Sequence, residues 1–106
     1  MSTTKDFMEY IVDQLDQSPL VHTRSMFGEY ALYYDGIVVG FICDNTMFLK
    51  INPATVEILG ENHEKGPAYP GSKDYYVLGD DVLEDKELFV RLVRVCEDNV
   101  KKIKRQ

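Results

Sequence analysis

Apolar residues first recur every three or four positions and then every second position, so a helix gives way to sheet within the first quarter of the chain. Phe7, Tyr10, Ile11 and Leu15 form one stripe, with Asp6, Glu9, Asp13, Asp16 and Gln17 at the positions between. This spacing predicts an amphipathic helix, begun near Thr3 or Thr4 and ended by Ser18-Pro19. Four runs rich in β-branched and aromatic residues follow, at 22–27, 29–34, 37–43 and 46–51, and read as strands. Asn52-Pro53 then pairs a capping side chain with a proline at a first helical position, where its missing N–H costs nothing. A short helix through Val56, Ile58 and Leu59 is expected to stop near Gly60.

Glycine and proline punctuate residues 61–74, which read as a loop or an irregular hairpin. Residues 75–78 are a last strand. Asp85 can cap a long final helix in which Leu88, Leu92, Val95 and Asn99 make one row and Phe89, Val93, Cys96, Val100 and Ile103 another. That double row is wide enough to lie on a sheet. Glu84, Asp85 and Glu87 at its start and bases at its end suit the helix dipole.

The strands carry an anomaly. Asp35-Gly36 is a strong two-residue hairpin signal, because Gly accepts positive φ without a Cβ clash. The register it sets puts Tyr34 opposite Ile37, Leu32 opposite Val39 and Tyr30 opposite Phe41 on one face. A second two-residue loop at Asp44-Asn45 adds Phe48, opposite Phe41, to that face. The other face carries Ala31, Tyr33, Val38, Gly40, Ile42, Met47, Leu49 and Ile51 and is assigned to the core, with Ala31 opposite Gly40 as a shallow trough for a helix. Both faces are then apolar, whereas an antiparallel sheet with one wet side alternates. Tyr30, Leu32, Tyr34, Ile37, Val39, Phe41 and Phe48 therefore need cover, from the chain's own helices, a second copy or another protein. One extra residue in the second loop would swap the faces of the strand at 37–43.

Composition bounds the answer without sharpening it. A chain of 106 residues, 44% hydrophobic and 28% charged, is one folded domain with a single core. The acidic amino terminus shows no secretory signal, and no run approaches a membrane span, so a soluble, cytoplasmic protein is expected. Cys43 and Cys96 lie in apolar strand and helix patterns and read as small buried hydrophobes with reduced thiols. The net charge is −6, yet Lys101, Lys102, Lys104 and Arg105 crowd the last six residues, so eighteen acids face eight bases in residues 1–100, a net of −10. Such a body repels phosphate backbones. A nucleic-acid surface would need the basic tail to join Arg91 and Arg94, whereas cations in a last helical turn already have a structural reason to be there.

Reactive constellations are sparse. His22 and His63 stand apart from the spacings that hold metals. Cys43 beside Asp44 lacks the electropositive setting a thiolate nucleophile needs. Asp80, Asp81, Glu84 and Asp85 lack calcium-loop spacing and suit helix capping better. Tyr69, Tyr75 and Tyr76 could stack bases, but the acidic body argues against it. No catalytic, cofactor-binding or metal-binding residue is assigned.

Met26-Phe27-Gly28, Tyr30, Leu32-Tyr33-Tyr34-Asp35-Gly36, Met47-Phe48-Leu49-Lys50 and the closing VLGDDVLEDKELFVRLVRVCED together resemble the amino-terminal domain of the TfoX/Sxy family, over about residues 7–99. The sequence departs from the family's common glycines at Glu29 and Ala31, and from its common proline at Gly79. The resemblance implies an α+β fold with a central antiparallel sheet. It also implies kinship with competence regulators that act with the cyclic-AMP receptor protein and whose best-known members add a helical carboxy-terminal domain; this chain is read as ending before one.

The expectation is thus an α+β domain spanning residues 1–106: a sheet of about five antiparallel strands, an N-terminal helix, a short middle helix and a long C-terminal helix. Its expected function is noncatalytic protein interaction, with another protein or a second copy, and an indirect link to promoter DNA through a transcription factor. The alternative is a small-molecule or enzymatic domain built on residues 61–76, which requires His63, Tyr69 and Tyr75 to share a deep pocket. No cofactor, membrane contact or direct nucleic-acid contact is expected.

Overall fold

The computed structural model describes the backbone of residues 2–105 and the side chains of residues 2–98. The basic residues at 101–105, with Asn99, Val100 and Ile103 of the predicted helical rows, lie outside the described side chains.

Helix α1 spans Lys5–Gln14, and the Thr4 hydroxyl caps it by accepting the Phe7 N–H at 3.2 Å. It ends earlier than Ser18-Pro19, because Asp16 and Gln17 take left-handed backbone angles and the Gln17 N–H turns back to the Val12 carbonyl. Three hairpins follow in series: β1 (Val21–Met26), β2 (Glu29–Tyr34), β3 (Ile37–Cys43) and β4 (Thr46–Leu49). Asn52 and Thr55 then form a reciprocal capping box at the start of α2 (Pro53–Leu59), which stops at Gly60 in a positive-φ conformation. Residues 61–74 contain a short strand, β5 (Lys65–Pro67), that pairs with β6 (Asp74–Leu78). A one-turn helix α3 (Asp80–Leu83) leads into α4 (Lys86–Arg105), whose start the Asp85 carboxylate caps by accepting from Leu88 N at 3.2 Å.

The class is α+β, with six antiparallel strands in the order β1-β2-β3-β4-β6-β5. The sixth strand is β5, read from sequence as part of a loop or irregular hairpin. The helices pack on one sheet face around Ile11, Leu15, Leu32, Val39, Ile42, Met47, Leu49, Tyr76, Phe89, Leu92 and Cys96. The other face holds a smaller cluster of Cys43, Ala68 and Tyr75 against Phe41 and Phe48, to which, among the described residues, no helix contributes.

A bulge between β2 and β3 decides which side chains lie on which face. Tyr34 pairs with Ile37 and Tyr33 with Val38, as the Asp35-Gly36 turn dictates, but Leu32 then pairs with Gly40, and Val39 is the extra residue. Val39 and Gly40 both turn inward. The Val39 carbonyl accepts from Lys50 N at 2.9 Å and lies 3.8 Å from Cys96 Sγ, joining β3 to the residue that follows β4 and to α4. Gly40 is required there, because a Cβ would sit 2.0 Å from the Phe48 carbonyl oxygen.

Candidate functional site

Because the bulge shifts β3 by one residue, the seven residues expected on a single face are divided between two. Leu32 and Val39 are fully buried in the helix-covered core, and Tyr30 and Tyr34 pack against it. Ile37 is half-buried opposite Tyr34. Phe41 and Phe48 face each other on the helix-free side, since Asp44-Asn45 is the two-residue loop expected. Ala31 pairs with Phe41 rather than Gly40, which removes the expected trough. Of the residues assigned to the core, Ile42, Met47 and Leu49 are buried there, whereas Ala31, Tyr33 and Val38 lie on the helix-free side.

That helix-free face is aromatic at its centre. Phe41 makes edge-on contacts with Tyr69 at 5.7 Å and Tyr75 at 5.5 Å between ring centroids. The loop after β5 brings Tyr69 back over the sheet, and Ser72 Oγ holds this loop by accepting from Ala68 N at 3.0 Å. Tyr69 remains 47% exposed, while Tyr33, Val38, Phe41, Phe48 and Val77 are half-buried. Polar side chains border the cluster, with Lys73 Nζ 5.7 Å from the Tyr75 ring centre. Sequence reasoning missed Tyr75 and Tyr69 as members; the available signal was the alternation of Tyr75 and Val77 with the core residues Tyr76 and Leu78.

Neither thiol is poised for chemistry. Burial, and then Glu29 and Asp44, push the Cys43 thiol up to about 11. Burial likewise raises Cys96 to about 11, although Lys50 and the Asn52 amide, 3.6 Å away, pull in the other direction. Both cysteines are free and belong to different clusters. His63 Nε2 donates to the Val77 carbonyl at 2.9 Å and its ring meets Tyr76 edge-on, whereas Tyr69 and Tyr75 turn to Phe41. These three side chains do not converge on one pocket. Among the described residues no three His, Cys, Asp or Glu side chains gather as metal ligands. Arg91 and Arg94 line a depression of about 430 Å³ beside α4 together with Asp16, Glu87 and Asp98, so acids interrupt the bases. Among the described residues no helix is long and apolar enough to cross a membrane.

The end of the sheet that carries the β1–β2 and β3–β4 turns is tied together by the amino terminus. Thr3 N donates to the Gly28 carbonyl at 3.0 Å, and Thr3 Oγ1 bonds Ile42 O and receives Asn45 N, both at 3.2 Å. Thr4 N reaches Asn45 Oδ1 at 2.9 Å. The Glu29 carboxylate accepts the Asp44 N–H at 3.1 and 3.2 Å, which gives a structural use to a position where the family commonly has glycine.

These features define a class: a small α+β domain whose antiparallel sheet wears helices on one face and an aromatic cluster on the other. The chain belongs to the TfoX N-terminal domain family, which matches residues 13–100. It is similar to a Spirochaeta aurantia protein described as an uncharacterized 12.7 kDa protein in the trpE 5' region, with 47% identity over 95 residues, covering 90% of this chain and 81% of that one.

Proposed function

We propose that this domain is a noncatalytic protein-interaction module whose contact surface is the helix-free sheet face around Phe41, Phe48, Tyr69 and Tyr75. The observation that carries the reading is an aromatic cluster on a sheet face to which, among the described residues, no helix contributes. Large aromatic rings on a rigid sheet supply apolar contact area, and Tyr69 and Tyr75 add the amphipathic residue type enriched at protein contacts. Two buried thiols with raised pKa values and a histidine committed to a backbone carbonyl offer little for catalysis. Of the seven residues expected on one face, this proposal keeps Phe41 and Phe48, while Leu32 and Val39 lie in the core and Tyr30 and Tyr34 pack against it. Membership in the TfoX family supports placing the partner in transcription regulation, with any link to promoter DNA running through that partner. A cytoplasmic setting belongs to the same proposal.

The test is pairwise. Phe48→Glu and Tyr69→Ala are compared with the parent chain for partner binding by calorimetry and for folding by circular dichroism. Both variants should remain folded and bind at least about tenfold more weakly, the usual effect of losing an interface aromatic. Unchanged affinity in both would sink the reading.

A further inference from the structure

The three hairpin turns in series share one backbone form, with positive φ at both central residues: Phe27 and Gly28 at +50° and +83°, Asp35 and Gly36 at +51° and +79°, Asp44 and Asn45 at +52° and +53°. Asp and Asn suit this left-handed conformation, because a short polar side chain can bond locally. Phe does not. Among the described residues six non-glycine positions have positive φ, and Phe27 is the one without a polar side chain. Nor does packing explain the ring, which is fully exposed at 104% of the reference value, against 47% for Tyr69. A bulky apolar residue held in an unfavourable backbone conformation, with no burial in return, points to a use outside the fold.

We infer that Phe27 is an anchor that enters an apolar pocket, about one phenyl ring wide and bordered by Lys or Arg, on a protein other than this chain. The inference rests on the reading of the domain as a protein-contact module but uses a separate part of its surface. The tip is preorganised: Thr3 N donates to the carbonyl of Gly28, the residue after Phe27, and the carboxylate of Glu29, one residue further on, accepts the Asp44 N–H of the neighbouring turn. An anchor held in its bound geometry loses little freedom on docking, which favours affinity. Glu29 and Asp44 flank the tip, and the chain carries a net charge of −6, so a basic rim complements it. The same charge disfavours an anionic bilayer, and a single ring is too small an anchor to hold a domain on one. A second copy would bring an equally acidic surface.

The experiment places a benzoylphenylalanine photocrosslinker at position 27 of the full chain in its own host and maps the crosslinked peptide by mass spectrometry. The protein identified is then purified, and its affinity measured for the parent chain, Phe27→Leu, Phe27→Ser and Phe48→Glu. The crosslink should fall in an apolar pocket with basic neighbours. Phe27→Ser should weaken binding about 30-fold or more and Phe27→Leu less, while the melting temperature of the free chain stays the same or rises. Crosslinks only to lipid, only to a second copy or to nothing would overturn the inference, as would a Phe27→Ser affinity within threefold of the parent. Loss with Phe48→Glu alone would sustain the sheet-face reading and end this one; loss with Phe27→Ser alone would do the reverse.

Discussion

Cys96 and Cys43 both pass for ordinary core residues, but their thiols make stability depend on alkaline pH. An unfolded thiol ionises near 9, whereas the folded chain holds the Cys96 proton to about 11, mainly because burial penalises the thiolate. Between those values the unfolded chain binds fewer protons, so stability present below pH 9 is lost as pH rises through about 11. For Cys96 the loss approaches about 2–3 kcal/mol. Tyr10, Tyr75 and Tyr76, also raised by burial, add to it at higher pH. Urea midpoints at pH 7, 9 and 10.5 should fall steeply, and less so for Cys96→Ala; parallel pH slopes for the two proteins would contradict this. The apolar setting of both thiols was legible from their neighbours along the chain. Their separation was not, because it depends on which sheet face each one joins.

The decisive element is the β2–β3 hairpin. A two-residue turn fixes register only until something interrupts the ladder, and here Val39 does so three residues after the Asp35-Gly36 turn has set it. Past that point the alternation of β3 reverses, which sends Phe41 to the helix-free face, while Leu32 keeps the face of Tyr30 and Tyr34 that the helices cover. The clue was Gly40, a lone glycine inside an apolar strand, where bulges and close backbone approaches are common. Gly40→Ala should therefore cost about 3 kcal/mol, at the upper end for overpacking, because its Cβ would meet a backbone oxygen rather than a movable side chain. Chemical denaturation measures this directly, and a loss below 1 kcal/mol would show that the bulge can relax. By contrast α2 was legible almost residue by residue, since Asn52, Pro53 and Gly60 each act through local backbone chemistry. Strand β5 was not, because Lys65–Pro67 carries no alternating pattern and forms only against β6.

At the scale of the molecule, a radius of gyration of 12.8 Å is that of one folded domain of this length. Its helices protect one side of the sheet, and the aromatic cluster on the other is therefore a property of the architecture rather than of a single side chain. Electrostatics acts at the same scale. Acids outnumber bases by ten in residues 1–100, and Glu87 and Asp98 sit among Arg91 and Arg94. The chain alone should give no retarded complex with duplex DNA at about 10 µM protein and 150 mM salt, where nonspecific affinity requires released counterions. A salt-sensitive complex lost on removing residues 101–106 would reverse that expectation.

Ser2 passes within 3.3 Å of the position a Gly28 Cβ would occupy, so a purification tag fused ahead of it would emerge beside the exposed ring. Such a leader can shade Phe27 or drape across it, and a tagged preparation could be mistaken for an inert one. Handles for immobilisation belong at the opposite terminus.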